Sequence, residues 1–219
     1  MVNGEKRAQF LSFMGIEQWK LRQPQTQEID HSPVETLSKL EKSVSICKAC
    51  ILCETRTQTV FGTGSSHAKI MFIGEAPGAE EDKQGKPFVG RAGQLLTQML
   101  KAIQLTREEV FIANILKCRP PQNRDPLPEE VAKCTPFLQE QIDLIQPKLL
   151  VALGRISAHY LLNTKTALTK LRGQIFEYNK IPLIVTYHPA YLLRAPQEKV
   201  KAYEDLKKIK FFIKTSDCK

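Results

Sequence analysis

Short apolar runs, each closed by a glycine or a polar residue, alternate with amphipathic stretches through most of this chain, and that alternation constrains the fold most. The runs at 70–73, 110–116, 149–153, 175–178 and 183–186 have the length and β-branched content of buried strands. Gly74 closes the first and Gly154 the third. Between them, 93–103, 128–145 and 156–162 carry helical periodicity, and a Lys-rich helix is predicted over 198–213. Pro128, Glu129 and Glu130 suit the first turn of their helix, where a missing N–H is harmless and negative charge is favoured. Strands that alternate with helices predict an α/β fold with a mostly parallel sheet covered on both faces.

Upstream of this core, 1–22 reads as a short amphipathic helix. Phe10, Leu11, Met14 and Gln18 share one face, with Phe13, Ile16 and Trp19 beside it. Residues 23–33, rich in Gln, Pro, Thr and Asp, read as a linker. A helix over 34–46, with Val34, Leu37, Leu40 and Val44 on its apolar face, leads to Cys47. The expected organisation is therefore an N-terminal helical extension, 1–33, and one domain, 34–219. The extension is a candidate docking segment for another protein.

Among 219 residues, 32 Lys and Arg oppose 23 Asp and Glu, a surplus of +9 that favours anionic partners such as nucleic acid. No apolar run reaches the roughly 18 residues of a membrane span. Lys6 and Arg7 are not followed by the apolar stretch of a secretory signal, because Glu17, Gln18 and Lys20 interrupt it. The chain reads as cytoplasmic, with no membrane partner. The loop at 74–78 lacks the phosphate-cradling G-x4-G-K-[ST] pattern, which disfavours nucleoside triphosphate hydrolysis.

Six cysteines need an account in a chain without an export signal. Cys47 and Cys50 form a C-x2-C pair, Cys118 follows a predicted strand, and Cys134 falls in the next helix. Four thiolates suit an iron–sulfur cluster or a tetrahedral zinc. A dithiol redox pair, and simple burial of Cys118 and Cys134 as small apolar residues, are the competing readings. On residue types alone, a zinc-stabilised nucleotide-binding domain remains an alternative.

In such sheets ligands bind outside the carboxyl ends of the strands. Four segments lie there: GEAPG at 74–78, GKPFVGRAG at 85–93, NILKCRPPQNR at 114–124 and HPAYLLR at 188–194. In this order and spacing they resemble the family 4 uracil-DNA glycosylases, iron–sulfur members of the uracil-DNA glycosylase superfamily, from about residue 47 to about 213. The resemblance implies a central four-stranded, mostly parallel sheet in a three-layer sandwich. It implies a monomeric, monofunctional enzyme that hydrolyses the N-glycosidic bond of deoxyuridine in single- or double-stranded DNA and leaves an abasic site. No catalytic lysine stands at a motif position, so no Schiff-base strand cleavage is expected. It also implies a [4Fe-4S] cluster on Cys47, Cys50, Cys118 and Cys134, with Cys53 and Cys218 left out.

By the same resemblance, Phe88 stacks on uracil, Asn114 reads its O4 and N3–H edge, and His188 donates to O2 as negative charge builds. Each has a plainer reading: a core aromatic, an Asn bonded to its own backbone, an ordinary surface His. Gly74, Glu75 and Ala76 offer backbone amides to the uracil carbonyls. Ala76 stands where more active members of the superfamily carry an Asp. Glu75, Glu81 and Asn123 are then the candidates to orient water or support the cationic sugar. Glu81 is also a candidate to exclude the thymine methyl, while the plain reading of Glu80, Glu81 and Asp82 is a solvated acidic turn. For DNA, Leu192 or Leu193 is the candidate wedge, and Arg91, Arg119, Arg124 and Arg194 are candidate phosphate contacts. Lys199, Lys201, Lys207, Lys208, Lys210 and Lys214 read as a solvated helix face. A cluster-bearing protein that binds damaged DNA without catalysis is the alternative function.

Overall fold

The computed structural model describes residues 33–216. The predicted N-terminal helix, its linker up to residue 32, and Cys218 lie outside the described residues. The chain runs α1 (Pro33–Ser45), α2 (Leu52–Thr55), β1 (Thr63–Gly64), β2 (Ile70–Gly74), α3 (Ala79–Gln84), α4 (Arg91–Ala102) and β3 (Phe111–Asn114). It continues through α5 (Pro128–Ile145), β4 (Leu149–Leu153), α6 (Arg155–Leu161), α7 (Leu168–Leu171), β5 (Ile175–Tyr178), β6 (Ile181–Thr186), α8 (Pro189–Arg194) and α9 (Lys199–Ser216). Among the described residues no helix is long and apolar enough to cross a membrane.

The sheet order is β1-β3-β2-β4-β6-β5. The inner four strands are parallel. Each flanking strand pairs antiparallel with its neighbour. The inner four form the expected central parallel sheet; of the two flanking strands, β5 is among the predicted runs and β1 is not. The hairpin joining β5 to β6 turns at Asn179 and Lys180, both with positive φ (47° and 66°), the backbone of a tight hairpin turn. Lysine is an unusual occupant there, so the turn carried no strong sequence signal. The β3 ladder ends at Asn114, short of the predicted 110–116; past it, Ile115 and Leu116 donate their amides to the carbonyls of Gly74, the last residue of β2, and Glu75, the next.

Alternation along the strands divides the core. Met71, Ile73, Leu150, Ala152 and Val185 meet α1 and α5 through Leu37, Leu40, Leu138 and Ile142. Ile70, Phe72, Ile112, Val151 and Ile184 meet α4 and α9 through Leu96, Leu100, Leu206 and Ile209. The result is three layers, helices–sheet–helices, as the apolar pattern required. One buried ion pair locks the outer layer to the sheet. Asp205 on α9, 2% exposed, accepts from Arg172 Nε at 2.8 Å and from the Thr186 hydroxyl at 2.8 Å. Removing one partner of a buried pair leaves the other charge uncompensated. Asp205→Ala should therefore lower unfolding free energy by about 3–5 kcal/mol, read by urea denaturation.

Candidate active site

Register decides what meets at the top of the sheet. Gly74 lies opposite Asn114, Ile73 opposite Ala152 and Leu153 opposite Thr186. The strand ends are level, and the chain reverses its winding across β2, placing a crevice at the switch point. A cleft of about 740 Å³ opens there. Glu75, Ala76, Glu81, Phe88, Asn114, Asn123, Arg124, His188 and Arg194 all line it.

Asn114 is 2% exposed, and its Oδ1 is the buried side-chain polar atom left without a hydrogen-bond partner among the described residues. Its backbone carbonyl is held by Lys117 Nζ at 2.8 Å. Lys117 is itself fully buried and also donates to Gln141 Oε1 at 2.6 Å. Burial pushes that ammonium down to about 8. Opposite Asn114, a Cβ on Gly74 would press on Asn114 Oδ1 and come within 2.8 Å of the Phe88 ring. Only glycine lets ring and amide close over this strand end.

Phe88 is buried with φ of 54°, a conformation an aromatic residue adopts only under restraint. The restraint comes from both sides. Glu81 Oε1 accepts from the amides of Val89 and Gly90 at 3.0 and 3.1 Å. The half-buried guanidinium of Arg107 donates to the carbonyls of Phe88 and Pro87 at 3.2 and 2.8 Å. Arg107 had no motif to mark it and was missed from sequence. The acidic segment is helix α3, not a solvated turn. Asp82 is 3% exposed and accepts from the Thr57 amide and hydroxyl.

His188 caps α8. Its Nδ1 accepts from Ala190 N at 3.1 Å, so the neutral ring carries its proton on Nε2. The ring lies 5.5 Å from Phe88, tilted by 34°. Burial, aided by the charge of Arg194 and opposed by Glu81, pushes the imidazolium down to about 4. Glu75 moves the other way. Burial and the neighbouring Asp125 push its carboxyl up to about 7, against the pull of Arg155.

Other predicted residues fall apart from this group. Arg91 and Arg119 do not line the cleft. Arg119 Nε instead donates to Asn123 Oδ1 at 2.8 Å. Arg124 lines the cleft but forks onto the buried Glu130, which caps α5, so its charge is already matched. Leu192, one of the two wedge candidates, is 1% exposed and packs in the core under α8. The segment 188–194, named in the sequence only as a post-strand motif, folds as helix α8, which turns Leu192 inward and leaves Leu193 36% exposed.

Cys47, Cys50, Cys118 and Cys134 line one small pocket, and Cys53, left out of the expected ligand set, lines it as well. None of these cysteines is in a disulfide. Arg56 donates to Cys118 Sγ at 3.0 Å and to the carbonyl of Cys47 at 2.7 Å. The Lys117 amide donates to Cys134 Sγ at 3.2 Å. Lys133 completes a cationic wall. Burial pushes the Cys134 thiol up to about 11 and the Cys118 thiol up as well. Among the described residues no three His, Cys, Asp or Glu side chains group closely enough to hold a single metal ion.

A pH consequence follows for His188. Its pKa falls from 6.5 unfolded to about 4 folded, so the unfolded chain binds the extra proton first. The stability is complete above 6.5 and drains away as pH falls toward 4. Between pH 7 and 4.5 the histidine should account for about 2–3 kcal/mol of lost stability. Urea titrations of His188→Asn should show an acid loss smaller by that amount than in the unsubstituted protein.

The sequence profile of the Uracil DNA glycosylase superfamily matches residues 61–207. A "Type-4 uracil-DNA glycosylase" of Sulfurisphaera tokodaii is 47% identical over 186 residues, covering 81% of this chain and 84% of that protein. A protein of the same description from Archaeoglobus fulgidus is 44% identical over 184 residues, covering 80% of this chain and 92% of its own. A "Type-5 uracil-DNA glycosylase" of Pyrobaculum aerophilum is more distant, 30% identical over 146 residues, with 59% and 64% coverage. With its cleft at the level ends of four parallel strands and these relatives matching it across most of their length, the chain belongs to the type-4 branch of the uracil-DNA glycosylase superfamily.

Proposed function

We propose that this chain hydrolyses the N-glycosidic bond of deoxyuridine in DNA, releasing uracil and leaving an abasic site. The observation that carries the reading is the unpartnered Asn114 Oδ1, buried beside the Phe88 ring at a cleft floor. A buried acceptor without a donor is costly, and a ligand N–H repairs it. Uracil extruded from the stack supplies that N–H at N3, while the amide NH2 donates to O4. Cytosine presents the opposite pattern at both positions. Phe88 offers its face to the flat ring. His188, neutral and with Nε2–H outward, donates to O2 as the leaving uracil gains negative charge.

Water needs a carboxylate, and the side chain at Ala76 provides none. Glu75 fits the task because its carboxyl titrates near neutrality, so the ionised form is available to orient water and face the electron-poor sugar. Glu81 has one oxygen committed to the Phe88 loop, which fits it to positioning and to exclusion of a C5 methyl. Asn123 beside Arg119 is a further polar group of the rim. Lys117, the buried lysine nearest this floor, has two acceptors and does not line the cleft, consistent with hydrolysis rather than Schiff-base chemistry.

The four thiols fit a [4Fe-4S] cluster. They share one pocket, two of them (Cys118 and Cys134) receive N–H donors from Arg56 and Lys117, and cations balance the charge that thiolate ligation brings. Cys47, Cys50, Cys118 and Cys134 would hold it. Its contribution is structural, cross-linking the turn after α1, the segment after β3 and helix α5. We further read the chain as a cytoplasmic monomer acting on single- or double-stranded DNA, with 1–33 an extension available to another protein. The alanine at 76 favours one alternative, a cluster protein that binds uracil-DNA without turnover.

Cluster-loaded protein should release uracil from uracil-containing oligonucleotides and leave thymine in place; tight binding without release would select the alternative. Asn114→Ala and His188→Ala should each lower kcat/KM by about a hundredfold or more. Activity should rise with pH through about 7 as Glu75 ionises, and Glu75→Gln should flatten that rise. Iron and acid-labile sulfide should co-purify with the chain in equal amounts and be lost in Cys118→Ala, measured by colorimetric analysis.

A further inference from the structure

The cleft holds several times the bulk of one pyrimidine, and its outer wall is aromatic. Tyr187 and Tyr191 both line it. Tyr187 is 4% exposed and fixed on three sides. Its hydroxyl donates to Glu198 at 2.8 Å, Arg172 lies 4.2 Å over its ring, and Tyr191 stacks on it at 5.1 Å with 30° between planes. Tyr191 is 39% exposed. One face is therefore spent on a rigid partner, while the residue keeps exposed surface and lines the cleft. It stands on α8 immediately before Leu192, the wedge candidate that packs inward.

Charge supplies a second, independent observation. Three arginines line the cleft. Arg124 is matched by Glu130 and Arg155 by Asp125 at 2.9 Å. Arg194, three residues beyond Tyr191 on the same helix, is exposed, and its guanidinium makes no hydrogen bond or ion pair among the described residues. Residues three apart on a helix stand side by side. An open aromatic face beside an unmatched guanidinium has the chemistry of a nucleotide: base on one, phosphate on the other.

We infer that Tyr191 and Arg194 form a subsite for the nucleotide next to the extruded uracil, the tyrosine stacking on its base and the arginine taking its phosphate. The subsite rests on the glycosylase reading above, for it is the neighbour of the base held by Phe88 and Asn114. Stacking is blind to base identity, so the subsite grips the strand without restricting sequence context. It also needs no complementary strand, which suits single-stranded substrate.

The test uses full-length, cluster-loaded protein and its Tyr191→Ala and Tyr191→Phe variants. One arm measures uracil release from a single-stranded oligonucleotide. Y191A should raise KM roughly five- to a hundredfold with kcat changed less than twofold, and Y191F should behave as the unsubstituted protein, since the ring face and not the hydroxyl is used. The other arm titrates single strands carrying 2-aminopurine on the 5′ or the 3′ side of non-hydrolysable 2′-fluorodeoxyuridine. The unsubstituted protein and Y191F should change the fluorescence of one of the two probes, and Y191A should not. An unaltered KM in Y191A, equal damage in Y191F, or the same fluorescence change in all three proteins would overturn the subsite. Absence of uracil release by the unsubstituted protein would overturn the glycosylase reading instead, and the fluorescence arm, needing no turnover, still decides the subsite.

Discussion

The level register of four parallel strands is the constraint on which the rest of this molecule depends. A parallel ladder fixes not only which strands are neighbours but how far along each the chain leaves the sheet. Here Gly74, Asn114 and Thr186 leave at one height, so the residues that follow converge without long connections. A slip of one residue would send Asn114 to the opposite face. The two apolar faces forbid it, since Ile112 is committed to one helical layer and Ala113 to the other.

Much of this architecture could be read from residue types. Wholly apolar runs ending in Gly74 and Gly154 located two central strands, and the Pro-Glu-Glu start at Pro128 gave the N-terminus of α5 as observed. The meeting of Phe88, Asn114 and His188 in one cleft is expected from the family resemblance, with Asn114 and His188 each placed just at or after a strand end. What stayed hidden shares a cause: it lies in contacts between segments distant in sequence. Arg107 reaches carbonyls nearly twenty residues away, and Arg56 reaches a thiol beyond β3. Neither bond leaves a local pattern. The two-residue β1 left no apolar run to read, and the Asn-Lys turn between the two predicted strands 175–178 and 183–186 carries no strong turn signal. Of the two wedge candidates, Leu192 turns inward because His188 capping and Pro189 at the first turn start a helix through HPAYLLR.

Two regions that the sequence presents separately are physically one. Asn114 and Cys118 bracket a single buried stretch, with Lys117 between them. Through its ammonium Lys117 holds the carbonyl of Asn114, and through its amide it touches the sulfur of Cys134. Gln141 continues the path to the carbonyl of Phe61. The floor of the cleft and the cysteine pocket thus share a wall, and neither can shift without drawing on the other.

The clamp around Phe88 has a corollary for how this loop tolerates change. The unfavourable backbone at Phe88 persists only because a carboxylate grips the turn through its amides while a guanidinium grips it through its carbonyls. Loss of either grip lets the turn relax to an ordinary conformation, after which the survivor has nothing left to hold. Glu81 and Arg107, although they do not touch, should therefore behave energetically as a single element: the double replacement costs little more than the first. Variation at these two positions is then expected to be all or none, with chains keeping both charges or abandoning both together with the aromatic they hold in place.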